Sequence, residues 1–394
     1  MGRRGNGEGT IYRRKDGMWA AQIVVGRKPD GRLDRRSVYG KTRAEVAEKL
    51  AKLQTARSMG SVPKPTKLSV AEYLDAWIEN HKRFGGRGGH GLRPNTYLGY
   101  KEAIDKHIKP VIGTMRLTAV APEHLEAIYR GMLDKKLSVR MAEIAHVTLH
   151  KAFKDAVTKG LLPANPCDRV PSPPRTRYRA SDRPRLAWEQ VPKVLDAVRD
   201  TRYYLPILLA MAAGLRRGEV LGLTWEHVDF SNGKLYVRQQ WNRKDDGTWG
   251  LVPVKTKASV RDVPIPQDVA DALAAHQVTQ RAQFGNRWSP ATLVFDRGDG
   301  KPINPADLDH AWADIREKLK LPEDLHLHDL RGSFATWHAQ RKTDLKTVSE
   351  MLGHADVKVT LELYQSVTET MRKEAAQAIE GITKLRPLEP PSTA

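Results

Sequence analysis

Between Leu325 and Tyr364 the chain carries His328, Arg331, His354 and Tyr364 at spacings that could serve one phosphate. His328 and Arg331 lie three apart at the start of a helical pattern, so one turn can present both side chains to a single anion. His354 follows Leu352-Gly353, where a second helix should stop. Tyr364 comes late in a short apolar-periodic segment that would carry it back to the same pocket. A tyrosine hydroxyl titrates near about 10 in water, so attack at neutral pH needs a base or a cationic surrounding. Residues of these types in this order describe a phosphoryl-transfer site with a tyrosine nucleophile.

Two upstream segments add cations. Ala213-Gly214-Leu215-Arg216-Arg217-Gly218-Glu219 puts an arginine in a turn between two apolar helices, and Lys255-Thr256-Lys257-Ala258-Ser259 falls between two predicted strands. Each residue alone has a plainer reading. Arg216 could meet only solvent or a passing phosphate, His354 could cap a helix end, and Tyr364 could be core packing. The pair His326 and His328, with His354, could hold a metal, yet no carboxylate completes a ligand set at a familiar spacing. The joint occurrence of these residues, each on the expected kind of element, removes the plainer readings.

Gly-Leu-Arg-x-Gly-Glu, Lys-Thr-Lys in a hairpin, His-Asp-Leu-Arg, Leu-Gly-His and a later tyrosine together resemble the tyrosine recombinase family, also called phage integrases. The resemblance covers the whole chain, and its specific motifs lie between Leu186 and Val367. It implies that Arg216 and Arg331 hold the scissile phosphate and that Lys255 is the hairpin lysine. It also implies that His328 and His354 are the two histidines, that Glu219 supports the site and that Tyr364 is the nucleophile. Lys257, two residues from Lys255, and Arg217, beside Arg216, remain alternatives within their motifs.

The chemistry of the residue types agrees with these roles. A phosphodiester passing through a five-coordinate state gathers negative charge on its non-bridging oxygens, which planar guanidiniums can meet two at a time. Two arginines can then do work that other enzymes give to metal ions, so neither cofactor nor metal is expected. His328 is the candidate base, and Lys255 the candidate acid for the leaving 5′ oxygen. The resemblance further implies a site-specific DNA recombinase, the integrase of a mobile element, working as a homotetramer on double-stranded attachment sites through a 3′-phosphotyrosyl link. A directionality factor or a host DNA-bending protein is a further expected partner. A type IB topoisomerase, a catalytically inactive DNA-binding regulator of the same fold and, more distantly, a metal phosphodiesterase are the competing readings.

Composition bounds the rest. The 394 residues carry a formal net charge of +20, with a sequence pI near 9.9, which calls for a polyanionic partner. No run of eighteen apolar residues and no apolar leader is visible, so a soluble, cytoplasmic protein without a membrane partner is expected. The single Cys167 can form no internal disulfide and reads as structural.

A multidomain fold is predicted: a small β-rich N-terminal domain, an all-α helical domain and a mixed α+β, mainly α, domain; the resemblance implies that the second is a core-binding domain and the third a catalytic domain of tyrosine recombinase type. Residues 1–60 hold 15 Lys or Arg against 6 Asp or Glu. Their alternating runs predict a three-stranded antiparallel sheet (10–14, 19–25 and 35–40) and a helix over 42–57, with Arg13, Arg14, Arg35 and Arg36 placed to enter a DNA groove; the resemblance implies that this is an arm-type DNA-binding unit. A merely solvated basic appendage is its plain alternative. Residues 66–170 predict four helices, the first opened by a capping box at Ser69 and Glu72 and the others over 94–109, 122–135 and 138–159, with a flexible glycine-rich loop over 84–91. Residues 171–185, with four prolines and Arg175, Arg177 and Arg179, predict an extended cationic linker laid along phosphates. The catalytic domain is expected over 186–385, with helices near 186–199, 205–213, 266–284 and 305–320. Three strands are expected over 234–240, 247–255 and 260–265, the first two joined by a turn. A charged helix over 370–384 and a disordered tail over 386–394 close the prediction.

Overall fold

A computed structural model describes residues 10–27, 32–58, 67–173 and 183–364. The expectations for Arg175, Arg177, Arg179 and the tail beyond Tyr364 lie outside the described residues. The chain divides into two compact units, residues 1–176 and 177–394.

In the first unit, β1 (Thr10–Arg13), β2 (Trp19–Arg27) and β3 (Leu33–Gly40) form an antiparallel sheet in that order. Alternation sends Ile11, Ala21, Ile23 and Val38 to one face, which packs against Val46 and Leu50 of α1 (Arg43–Ser58). The other face is open and carries Tyr12 and Tyr39, each 46% exposed.

The helical bundle of this unit begins with α2 (Val70–Phe84). Ser69 Oγ accepts from the Glu72 amide, and the Glu72 carboxylate accepts from the Ser69 amide, as a capping box requires. Residues 84–91 form a tight turn with positive φ at Gly86, Gly88, Gly89 and Gly91, pinned by the Leu92 amide on the Lys82 carbonyl. The next helix was expected to stop at Lys109 but reaches Ile112. It runs as α3 (Pro94–Glu102), a π-helical stretch (Ala103–Ile108) and α4 (Lys109–Ile112). Pro110 has no amide and its ring would collide with the carbonyl four residues back. The π turn just ahead shifts the register by one residue, so the Lys109 amide donates to Ile104 and the helix continues. α5 (Pro122–Asp134) and α6 (Val139–Thr158) complete the bundle around Leu74, Trp77, Ile104, Leu125, Leu149 and Phe153. Cys167 is buried against this core, where burial pushes its thiol up to about 12.

The second unit contains α7 (Val191–Val198), α8 (Tyr204–Ala212), α9 (Arg217–Leu221), α10 (Gln267–Phe284), α11 (Pro305–Lys318), α12 (Asp329–Gln340), α13 (Leu345–Leu352) and α14 (Val357–Tyr364). The strand expected over 234–240 is two strands in two sheets. β5 (Lys234–Val237) lies between β4 (Val228–Asp229) and β8 (Arg261–Pro264), whereas β6 (Gln239–Arg243), among the described residues, pairs only with β7 (Trp249–Pro253). The break falls at Arg238, whose guanidinium donates to the Arg261 carbonyl (2.8 Å) and pairs with Asp262 (2.5 Å). The paired strands therefore belong to different partners on either side of one side chain.

α12 is the axis of this unit. Leu330, Arg331, Ser333, Phe334, Ala335 and Trp337 are all buried, so the helix is enclosed on most of its circumference and its polar residues must find partners inside.

Candidate active site

α12 opens at His328, its N-cap residue, and this fixes His328 and Arg331 one turn apart. The start is held from behind: Asp329, 3% exposed, accepts from the His326 amide (2.9 Å) and pairs with Arg183 (3.2 Å) and more distantly with Arg185 (3.9 Å). Residues 183–188 are thereby strapped along α12. The Leu186 amide donates to Ser333 Oγ (2.9 Å), Trp337 Nε1 donates to the Leu186 carbonyl (2.9 Å), and Trp188 meets Trp337 edge to face. Arg183 and Arg185 were expected to lie along DNA phosphates with the rest of the linker. They instead compensate the buried charge of Asp329, and Arg341 lies over Trp188 at the far end.

Arg331 is 4% exposed, and its guanidinium joins two loops. Nη1 donates to the Gly214 carbonyl (2.6 Å) and Nη2 to the Leu352 carbonyl, so the turn before Arg216 and the end of α13 meet on one side chain. Close approach demands glycine at both. Gly214 has φ +59°, and a Cβ there would fall 2.9 Å from Phe334 and Leu352; Gly353 has φ +64°, and a Cβ there would fall 2.8 Å from the Ala258 carbonyl. Gly353 in the left-handed conformation also ends α13 and turns the chain into His354.

Arg216 is the N-cap of the short helix α9 and lies in the turn between α8 and α9, as the sequence suggested. The Glu219 carboxylate accepts from the Arg216 amide (2.9 Å) and from its Nη1 (2.6 Å), and Arg216 Nη2 reaches the Gly353 carbonyl (3.4 Å). Glu219 is also gripped by Arg261, through Nη2 (2.8 Å) and Nη1 (3.2 Å), while Arg261 Nε donates to the Met351 carbonyl (2.5 Å). Burial would raise the Glu219 carboxyl, but the hydrogen bond and charge of Arg261, with Arg216 behind them, bring it down to about 2.

Arg261 and Thr360 are the residues that sequence reading missed. Alternation in β8 was the available signal for Arg261: it puts Arg261 on the same buried side as Val263, an unusual place for a guanidinium without a carboxylate partner. Thr360, fully buried, meets His354 Nδ1 through Oγ1 at 2.8 Å.

The electrostatics suit an anion. Burial and the neighbouring Arg216 push Arg331 well below the usual guanidinium range; arginine nonetheless stays charged at neutral pH, so an incoming phosphate relieves a standing cost. Burial and the Arg331 charge lower His328, and Asp329 partly offsets them. Burial, then Arg331, Arg216 and Arg261, push His354 down to about 4. Both rings are therefore neutral at pH 7, the state a general base requires and one that still leaves a ring N–H to donate to a phosphate. His328 and Arg216 border an open cavity of about 540 Å³ that Arg217, Trp312, Arg316 and His326 also line.

The structure thus brings Arg216, Glu219, His328, Arg331 and His354 together. Arg217 lines the same cavity but pairs with Asp309 on α11, whereas Arg216 is held by Glu219. Lys255 and Lys257 are both exposed in the segment joining β7 to β8. Tyr364 is the last residue of α14; its side chain lies outside the described residues. Among the described residues no group of three His, Cys, Asp or Glu side chains is placed to hold a metal ion. No helix among them is long and apolar enough to cross a membrane.

The N-terminal arginines divide between the two faces of their sheet. Arg35 points to the open face, and Arg14 stacks over Tyr39 (5.1 Å) while pairing with Asp16. Arg36 falls on the helix-covered side, pairs with Asp34 (3.5 Å) and is only 17% exposed in its side chain, which corrects its expected place on an open surface. Arg13 shares that side at the sheet edge and donates to the Gly17 carbonyl.

A mainly helical unit that gathers two arginines and two neutral histidines from three separate segments is an arrangement suited to holding a phosphate. The chain belongs to the phage integrase family, whose pattern it matches over residues 184–371, and residues 69–133 match the SAM-like N-terminal domain of phage integrases. It is 27% identical to an integrase of Saccharopolyspora erythraea, over 95% of this chain and 96% of the relative. Its fold is similar to the Tn1549 transposon integrase in complex with transposon right end DNA (TM-score 0.63, 21% identity, 79% of this chain and 99% of that one). It is also similar to the lambda integrase tetramer bound to a Holliday junction (TM-score 0.54, 18% identity, 88% of this chain and 95% of that one).

Proposed function

We propose that this protein is a site-specific DNA recombinase, the integrase of a mobile element, which cuts and rejoins strands through a 3′-phosphotyrosyl intermediate at Tyr364. The carrying observation is the convergence of Arg216, Arg331, His328 and His354, supplied by three separate segments and joined through the Arg331 guanidinium.

In this reading Arg216 and Arg331 bind the non-bridging oxygens and stabilise the charge that builds on them as phosphorus becomes five-coordinate. Glu219 and Arg261 hold Arg216 in place, and neutral His328 accepts the Tyr364 proton as its oxygen attacks. The bond to the 5′ oxygen breaks, and Lys255 or Lys257, on the exposed β7–β8 segment, supplies a proton to that leaving group. The phosphotyrosyl ester keeps the energy of a phosphodiester, so a 5′ hydroxyl from a second duplex can attack it and restore a strand without ATP. The helical 66–170 region is assigned to the core site. The open face with Tyr12, Arg14, Arg35 and Tyr39 is assigned to distal arm sites, and a homotetramer is the assembly that exchanges strands. The lambda integrase tetramer bound to a Holliday junction supports this assembly by similarity of fold.

The test uses nicked duplexes spanning the ends of the element that encodes the protein, incubated with EDTA. A covalent adduct that Tyr364→Phe abolishes is expected. A strict metal requirement, or an adduct that persists in Tyr364→Phe, contradicts the proposal.

A further inference from the structure

We infer that Thr360 is a positioning residue that fixes His354 as its Nε2–H tautomer and ties the helix ending in Tyr364 to the phosphate-binding cluster. This rests on the recombinase reading of the same site.

Thr360 is fully buried, and Oγ1 lies 2.8 Å from His354 Nδ1. A buried hydroxyl must place its proton on an acceptor. Among the described residues the hydrogen bonding of Thr360 Oγ1 is to that ring nitrogen, with no bond back to a carbonyl one turn earlier. The hydroxyl therefore donates and Nδ1 accepts, which leaves the ring proton on Nε2.

That choice decides what the ring offers. His354 sits among the charges of Arg216, Arg261 and Arg331, which with burial keep it neutral at pH 7. A neutral imidazole presents either a proton or a lone pair at Nε2. Only the proton attracts a phosphate oxygen, so the tautomer separates a transition-state ligand from a repulsive neighbour. The same hydrogen bond docks α14 from one helical turn before Tyr364, so chain presentation and ring tautomer share one contact.

The experiment has two arms. In full-length protein labelled with 15N-histidine, and with His354→Gln to assign the signal, the His354 ring should show an unprotonated Nδ1 and a protonated Nε2 at pH 7. The Nδ1–H form in the unaltered protein would overturn the inference, whatever any variant does. In the second arm, Thr360→Val keeps the volume and removes the hydroxyl. Capture of a nicked-duplex library with a randomised core should slow by roughly 10–100-fold, the range seen when a residue orienting a functional histidine is lost, and Thr360→Ser should recover most of it. Unchanged capture by Thr360→Val, or slowed capture with the Nε2–H signal intact, would refute the tautomer role. If the unaltered protein captures no duplex, the recombinase reading fails while the ring signal still reports on Thr360.

Discussion

Two buried carboxylates in the catalytic unit are each held by two arginines, and they are held very differently. Glu219 binds Arg216 and Arg261 at 2.6–2.8 Å, with Arg261 forked onto both oxygens and itself anchored on the Met351 and Ser259 carbonyls. Asp329 meets Arg183 at 3.2 Å and Arg185 at 3.9 Å, and the Arg183 side chain is 44% exposed. The first is a closed network in which each member depends on the others; the second is a looser strap with one end in water. The contrast assigns them different tasks. Glu219 holds Arg216 rigidly, on the proposed reading where charge develops, whereas Asp329 sets the start of α12 and can exchange Arg183 for solvent or a phosphate.

Breaking the tight network should have the largest effect. Glu219→Gln leaves Arg261 buried without its counter-charge, and unfolding of the catalytic unit in urea should show a loss of ~3–5 kcal/mol with capture of nicked DNA abolished. A loss under ~1 kcal/mol would show that the two carboxylates are held alike. Next comes acidity. Glu219 falls from 4.5 to about 2 on folding, so its stabilisation is present above pH 4.5 and is lost as pH falls toward 2. Thermal melts in Arg261→Met should lose that acid limb, because the depressing partner is gone. Asp329→Asn keeps an acceptor for the His326 amide, so ~1–2 kcal/mol is expected, with the His328 ring titrating lower still once the charge that raises it is removed. A histidine titration unchanged by Asp329→Asn would remove Asp329 from the site. Arg183→Ala, at the exposed end, should cost at most ~1 kcal/mol in stability and reduce the salt dependence of DNA binding slightly.

How much of this could be read from the chain depends on whether a residue's partner is local. Ser69 with Glu72, Asn304 before α11, and Gly353 closing α13 all act within one turn, and the capping patterns show them directly. His328 and Arg331 share a helix, so their convergence was legible from spacing alone. Arg261 was not, because its carboxylate lies 42 residues away and β8 looks like any short edge segment until the alternation is checked. Arg183 and Arg185 sit in a Pro/Arg run that reads as a cationic linker laid along phosphates, and only Asp329, 146 residues on from Arg183, changes that reading. The strand break at Arg238 was hidden for the same reason: local propensity is continuous across 234–240, and only the choice of partner strand divides it.

The central claim is that a Tyr364 oxygen becomes bonded to a broken strand while Arg216 and Arg331 neutralise the crowded phosphorus. Digestion of the trapped adduct and mass spectrometry of the DNA-bearing peptide tests it most directly. The account predicts a single nucleotide-modified peptide with the modification on Tyr364; modification at any other residue, or recombination with no modified peptide, would contradict it.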